Sequence, residues 1–216
     1  MKITKAAFAT LAVAALGLAG CSDSTGGSDK GEGKAYTVGV VQLVQHPALD
    51  AATQGFQDKL TELIEADGNT VEFDIQNAGG DSATAATIAN GFVSDNVDLI
   101  MANATPALQA AAQATTEIPI LGTSVTDYGA ALDIKDWTGT GATGFNVSGT
   151  SDLAPLDKQA EMVKELAPDA KKVGILYSSG EANSVYQAEA MTSSTETPST
   201  NGEKRANTSN ATSETS

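Results

Sequence analysis

The stretch Val38-Gly-Val-Val-Gln-Leu-Val-Gln-His-Pro-Ala-Leu-Asp50 decides the fold of this chain. Its first part, up to Val44, is apolar and rich in β-branched residues, which predicts a buried parallel strand. Pro47 disfavours a helical conformation for the residue before it, so the strand ends there and a helix follows. Because open α/β sheets bind ligands at the carboxyl ends of their strands, we expect Gln42 and His46 to lie at a binding edge.

The segments after this stretch alternate between helical and strand patterns. Apolar residues spaced three and four apart predict a long helix that ends near Asp67-Gly68. Further strands are predicted at 71–75, 98–102 and 118–121, with helical patterns between them. This alternation predicts parallel pairing with right-handed crossovers, and therefore a complete Rossmann-like α/β lobe over residues 36–145.

A second unit follows the first lobe in the same style. The polar segment 146–152 is rich in turn-forming residues and is expected to be a linker or hinge. A helix is predicted at 155–166, a strand at 172–177 and another helix from Ser184. We therefore assign residues 146–191 to a hinge and the start of a second lobe.

The composition changes after residue 191. Residues 192–216 contain no Leu, Ile, Val, Phe, Tyr, Trp or Met, and such a segment cannot bury enough apolar surface to fold, so we expect disorder. The segment is either a natural low-complexity tail or unrelated sequence that replaces the rest of the second lobe. We favour the second interpretation, in which the second lobe is partial.

The N-terminus has the features of an exported protein. A short basic segment and the apolar run Ala6–Leu18 predict a secretory signal peptide over residues 1–20. The motif Leu18-Ala-Gly-Cys21 resembles the lipobox of bacterial lipoproteins. Cys21 is the only cysteine, which excludes an internal disulfide and favours a lipid anchor, with an unlipidated secreted protein as the alternative. Residues 21–35 then form a flexible tether.

Composition excludes several functional classes. Lys and Arg number 12 against 27 Asp and Glu, so a net charge of −15 argues against nucleic acid as a partner. A single histidine and a single cysteine are too few ligands for a metal site, and we expect no cofactor. The glycines of Gly139–Gly144 have the spacing of a dinucleotide-binding fingerprint. They do not follow the first strand and do not precede a helix, so we discount this motif. We expect a protein that is not an enzyme.

The remaining polar residues form a binding pattern. Thr105 and Pro106 are placed as N-cap and first residue of a helix, whose N-terminus attracts a carboxylate. The alternative is that they only start the helix. Asp127 follows the next strand and suits a ligand ammonium group, although capping a turn is its alternative role. A zwitterionic amino acid fits this combination.

Six blocks of sequence, in this order, closely resemble substrate-binding lipoproteins of a bacterial ABC importer family that includes tryptophan/tyrosine-type binding proteins. The resemblance covers about residues 36–190. The blocks are Gln42-Leu-Val-Gln-His-Pro-Ala-Leu-Asp50, Gln76-Asn-Ala-Gly-Gly-Asp81, Ala104-Thr-Pro-Ala107, Ser124-Val-Thr-Asp127, Asn146-Val-Ser-Gly-Thr-Ser-Asp152 and Gly174-Ile-Leu-Tyr-Ser-Ser-Gly-Glu-Ala-Asn-Ser184.

The resemblance implies a type I periplasmic-binding-protein fold whose two lobes close on a small solute. It implies an extracytoplasmic, membrane-anchored monomer that delivers an amino acid, aromatic in some family members, to an ABC permease. Because the second lobe is partial, we expect this chain to bind its ligand weakly or not at all. The ligand contacts implied are Gln42, His46, Thr105, Asp127, Ser151, Asp152, Asn183 and Ser184.

Two alternative functions remain open at this stage. A ligand-sensing receptor ectodomain of the same fold would have a similar sequence. An enzyme using a nucleotide or sugar would need a glycine-rich turn after the first strand, where this chain has Gln45-His-Pro47.

Overall fold

The computed structural model describes residues 33–195, which contain a five-stranded, all-parallel sheet with strand order β2-β1-β3-β4-β5. The strands are β1 (Ala35–Gln42), β2 (Thr70–Asn77), β3 (Leu99–Asn103), β4 (Ile120–Val125) and β5 (Val147–Ser151). The helices are α1 (Pro47–Ala66), α2 (Ser82–Ser94), α3 (Thr105–Ala114), α4 (Tyr128–Leu132), α5 (Leu156–Leu166) and α6 (Ala182–Thr195).

Both faces of the sheet are covered by helices. On one face Val38 and Val40 of β1 pack with Phe56 of α1. On the other face Phe92 of α2 and Leu108 of α3 belong to the larger core cluster. The strand order reverses between β1 and β3, and this switch point is where α/β sheets of this order bind ligands.

The segment predicted as a linker at 146–152 instead contains β5, which pairs in parallel with β4. The strand could not be recognised from its sequence, because an edge strand buries few side chains and Val147 is the only residue of β5 that is buried. The single hydroxyl hydrogen of Tyr128 is shared between Gly122 O of β4, at 3.0 Å, and Thr150 O of β5, at 3.3 Å. Gly149 is required for this contact, because a Cβ there would overlap the Tyr128 hydroxyl and Gly122 O.

The predicted strand at 172–177 is wrong for the described part of the chain. The segment is not in a ladder, and Val173 and Leu176 are 53% and 101% exposed. A strand requires hydrogen-bonding partners on a neighbouring strand, and none within residues 33–195 pairs with this segment. Apolar sequence alone therefore did not make a strand.

The predicted helix from Ser184 is present as α6, which packs against α5 and α4. It continues to Thr195, so four residues assigned to the low-complexity tail are helical. In this extension the hydroxyls of Ser193 and Ser194 donate to carbonyl oxygens four residues earlier. The signal peptide, Cys21 and most of the tether and tail lie outside the described residues.

Candidate functional site

A row of polar side chains runs along the carboxyl edge of the sheet. In the strand register Gln42 of β1 lies opposite Asn77 of β2 and Asn103 of β3. Asn103 in turn lies opposite Thr123 of β4, whose hydroxyl is 3.5 Å from that of Thr150 in β5. Because neighbouring strands are about 5 Å apart, these groups form a continuous polar rim.

Gln42 is the centre of a hydrogen-bonded network beneath this rim. It is 5% exposed, and its Oε1 accepts a hydrogen bond of 2.7 Å from the Thr53 hydroxyl of α1. Its Nε2 donates to Asp50 Oδ1 at 2.6 Å. Asn103 Nδ2 donates to the Thr53 oxygen at 3.0 Å and to Leu49 O at 2.8 Å. The network therefore fixes the ends of β1 and β3 against the first turns of α1.

The turn between β3 and α3 has two buried polar atoms without hydrogen-bond partners among the described residues. They are Asn103 Oδ1 and Thr105 Oγ1, on side chains that are 0% and 2% exposed. The prediction that Thr105 caps α3 is wrong, because Ala104 occupies the cap position with φ 98° and ψ 155° and no side chain caps the helix. A non-glycine residue in this region of φ and ψ is strained, and such strain concentrates at functional sites.

His46 and Asp127 both cap helices. His46 is exposed, and its Nδ1 accepts a hydrogen bond from Ala48 N at the start of α1. Asp127 is 9% exposed, and its Oδ1 accepts from Ala130 N at 2.7 Å. For Asp127 this is the alternative role that the sequence left open, and a ligand contact by either residue stays a prediction.

The four predicted contacts after residue 150 lie in two places. Ser151 ends β5, and its hydroxyl donates to Thr126 O at 2.7 Å, while Asp152 beside it is exposed.

Burial, and then the charge of Asp152, raise the pKa of Tyr128 to about 12, so this phenol stays a neutral donor.

Asn183 and Ser184 lie in the first turn of α6. The Ser184 hydroxyl oxygen accepts a hydrogen bond from Ser178 N at 2.9 Å, and it therefore closes the loop before the helix. Asn183 Oδ1 is buried and has no partner in the described part of the chain. The structure thus brings Gln42, Thr105 and Asp127 to one edge of the sheet, whereas Asn183 and Ser184 are in the first turn of α6, outside the sheet.

An open pocket of about 650 Å³ lies on the β2 side of Gln42, between the first turns of α1 and the end of β2. We call it the α1–β2 pocket. Among the residues lining it are Gln42, Gln45, Asp50, Thr53, Gln57 and Asn77.

Sequence reasoning missed Asp50, Thr53 and Asn103 as site residues. Asn103 is the last residue of β3, so the rule that found Gln42 at the end of β1 could have found it. Thr53 falls among the apolar positions of α1, where a lone polar residue indicates a buried partner.

A second pocket of about 650 Å³ lies beside β5, between Tyr128, Trp137 and the glycine-rich segment 139–144. That segment is a loop between α4 and β5 and does not open a helix, so it lacks the geometry of a dinucleotide-binding turn. No group of three or more His, Cys, Asp or Glu side chains within residues 33–195 could hold a metal ion. The same residues contain no helix that is long and apolar enough to span a membrane.

The model of the family described as ABC transporter substrate binding protein matches residues 37–199. The chain belongs to this family. Its fold is that of type I periplasmic binding proteins, as the sequence predicts. Members of the family are solute-binding proteins, which supports the prediction that the chain is not an enzyme.

Relatives of known structure or name agree with this membership. The tyrosine-binding protein of Clostridioides difficile strain R20291 is 43% identical over 180 residues, which cover 81% of this chain and 51% of the relative. A conserved domain protein from Vibrio cholerae is 41% identical with a TM-score of 0.64, over 74% of this chain and 53% of the other.

A third relative is the ABC domain from Streptococcus pneumonia whose structure was solved in complex with L-Trp. It is 37% identical with a TM-score of 0.66, and the match covers 75% of this chain and 54% of the other. The chain described by the present sequence therefore spans about half the length of these three relatives.

Proposed function

We propose that this chain is the ligand-capturing component of an ABC importer for a small amino acid solute, with an aromatic amino acid as the ligand. It acts outside the cytoplasm, is held at the membrane by a lipid on Cys21 and delivers its ligand to a permease. The ligand carboxylate binds at the N-terminus of α3 and the ligand lies across the polar rim at the ends of β3 and β1.

Two buried polar atoms in the turn from β3 to α3 carry this proposal. A buried hydroxyl or amide oxygen without a partner costs about 1–3 kcal/mol, and Asn103 Oδ1 and Thr105 Oγ1 are in this condition. Such groups are satisfied when a ligand supplies the partner. The Thr105 hydroxyl can donate to a carboxylate, and Asn103 Oδ1 can accept from a ligand donor.

The helix dipole supports the same orientation of the ligand. No side chain caps α3, so its first N–H groups are available to an anion at the rim. Ala104 holds this turn in a strained conformation in which its N–H bonds to Thr123 O and its carbonyl accepts from Leu108 N. The strained turn is thereby fixed on both sides before any ligand arrives.

The relatives support the ligand class. One relative is a tyrosine-binding protein and another was solved in complex with L-Trp, and they are 43% and 37% identical to this chain. The affinity should nevertheless be low. Proteins of this kind enclose the ligand between two lobes, and residues 33–195 hold one sheet, so we expect dissociation constants in about the millimolar range.

A two-dimensional ¹H–¹⁵N NMR titration tests the proposal, because it detects weak binding and locates it. With L-Trp or L-Tyr we expect saturable shifts of the Asn103 side-chain amide and of the backbone N–H groups of Thr105 and Ala107. D-glucose should cause none.

Thr105→Val removes the hydroxyl at nearly constant volume and should weaken binding about threefold to tenfold. Thr87→Val, the same change on the exposed side of α2, should leave binding unchanged. Absence of shifts at 10-fold excess over about millimolar protein, or equal binding by both variants, would contradict the proposed site.

A further inference from the structure

We propose that Asp50 is the counter-ion for the ligand's ammonium group, and that the α1–β2 pocket is where this group binds. The inference rests on the proposed function, because it assigns a second charged contact to the same amino acid ligand. It replaces Asp127 in the role that the sequence suggested for it.

The position of its carboxylate makes Asp50 suitable for this role. Asp50 lies in the first turn of α1, is exposed, and lines the α1–β2 pocket. All other residues that line this pocket are uncharged, so Asp50 sets its electrostatic potential. Asp127, by contrast, is buried, and its Oδ1 already accepts a hydrogen bond from Ala130 N at 2.7 Å.

Gln42 holds the Asp50 carboxylate at the rim. Its Nε2 donates to Asp50 Oδ1 at 2.6 Å, whereas Asp50 Oδ2 has no partner among the described residues. The carboxamide of Gln42 is fixed in turn by Thr53, which donates to Oε1 at 2.7 Å. One oxygen of Asp50 is therefore oriented by buried groups, and the other is left to accept from a cation.

The strand register relates this carboxylate to the proposed anion site. Gln42 ends β1 directly opposite Asn103 of β3, and Thr105 begins α3 two residues further on. Asp50 is in the helix that follows β1 and Thr105 begins the helix that follows β3, so the carboxylate and the positive N-terminus of α3 come after neighbouring strands at the switch point. A zwitterion with its carboxylate toward α3 and its ammonium toward α1 complements both.

A pair of probes separates this role from a structural one. L-tryptophan and indole-3-propionate share the indole and the carboxylate, and only the first has an ammonium group. We expect the full chain to bind L-tryptophan about tenfold more tightly than indole-3-propionate in NMR titrations. Asp50→Asn keeps an acceptor for Gln42 but removes the charge, and should abolish this preference by weakening the binding of L-tryptophan.

Asp58→Asn is the matched control. Asp58 is also exposed on α1 and accepts a hydrogen bond of 2.7 Å from a glutamine amide, that of Gln54, but it does not line the pocket. This variant should keep the tenfold preference.

If Asp50→Asn weakens both probes equally or retains the preference for L-tryptophan, the inference is wrong and the proposed function stands. If neither probe shifts the spectrum of the unmodified chain, the proposed function fails and the inference fails with it.

Discussion

Replacing Thr53 by valine should destabilise the protein by about 2 kcal/mol, although the two side chains have nearly the same volume. Thr53 is 5% exposed, and its hydroxyl donates to Gln42 Oε1 at 2.7 Å and accepts from Asn103 Nδ2 at 3.0 Å. Valine leaves the buried Gln42 oxygen without its donor, which costs about 1–3 kcal/mol. Asn103 keeps its bond to Leu49 O, so its loss is smaller.

The free energy of unfolding from urea denaturation measures this effect. Thr87→Val is the matched control, because Thr87 is also in a helix but is exposed and bonds only to Ala83 O of its own helix. It should change the free energy of unfolding by less than about 0.5 kcal/mol. If Thr53→Val costs no more than Thr87→Val, the network does not hold β1 and β3 against α1.

A double-mutant cycle with Gln42→Leu isolates the pairwise part of the cost. Removing both partners of a buried hydrogen bond is less costly than removing one, because no unsatisfied group remains between them. We expect the double variant to be more stable than the sum of the single changes predicts, by about 1 kcal/mol. Strict additivity would show that Thr53 and Gln42 do not interact.

Three further predictions test other parts of the structure. Gly149→Ala should cost more than about 2 kcal/mol of unfolding free energy, because its Cβ overlaps backbone of β4, whereas Gly55→Ala, with open space around it, should stabilise α1 by about 0.5–1 kcal/mol. Equal effects would contradict the tight packing of β5. Hydrogen bonds from the side chain and then the backbone of Thr84 lower the pKa of Asp81 below 3.8. The ionised Asp81 should therefore make the protein more stable than the Asp81→Asn variant above that pH, and this advantage should disappear as the pH falls through the folded-state pKa. A difference between these two proteins that grows on acidification would be the wrong sign. Cys21→Ser should move the protein from the membrane fraction to the soluble fraction of cells, and unchanged fractionation would argue against the lipid anchor.

Most of the first lobe could be predicted from sequence because burial leaves a recognisable pattern, either a continuous apolar run or a helical period. β1 is flanked on both faces by helices, so its residues from Val38 onward are apolar without alternation, and α2 carries Ala85, Ile88 and Phe92 at helical spacing. β5 has no such period because it is an edge strand with one buried residue. The segment 172–177 has the opposite property, since its composition suits a strand but no partner strand is available to it within residues 33–195.

The same reasoning separates the site residues that could be predicted from those that could not. Gln42 and Thr105 could be found because each follows a recognisable strand. Asp50 could not, because nothing local distinguishes it from an ordinary acid in the first turn of a helix. Its role depends on a contact with Gln42, eight residues earlier, and on the pocket that packing of α1 beside β2 creates.

Local partners decide which polar residues remain available to a ligand. His46 and Asp127 begin helices, and each finds a backbone N–H two or three residues away that satisfies one of its acceptors. Thr105 lies one residue further into its helix, beyond the cap position, and its hydroxyl has no partner among the described residues. A shift of one position along the chain therefore changes a capping residue into a binding candidate. For this reason Thr105→Val should weaken ligand binding with little loss of unfolding free energy. Asp127→Ala removes a helix cap, and it should lower the unfolding free energy with little effect on ligand binding.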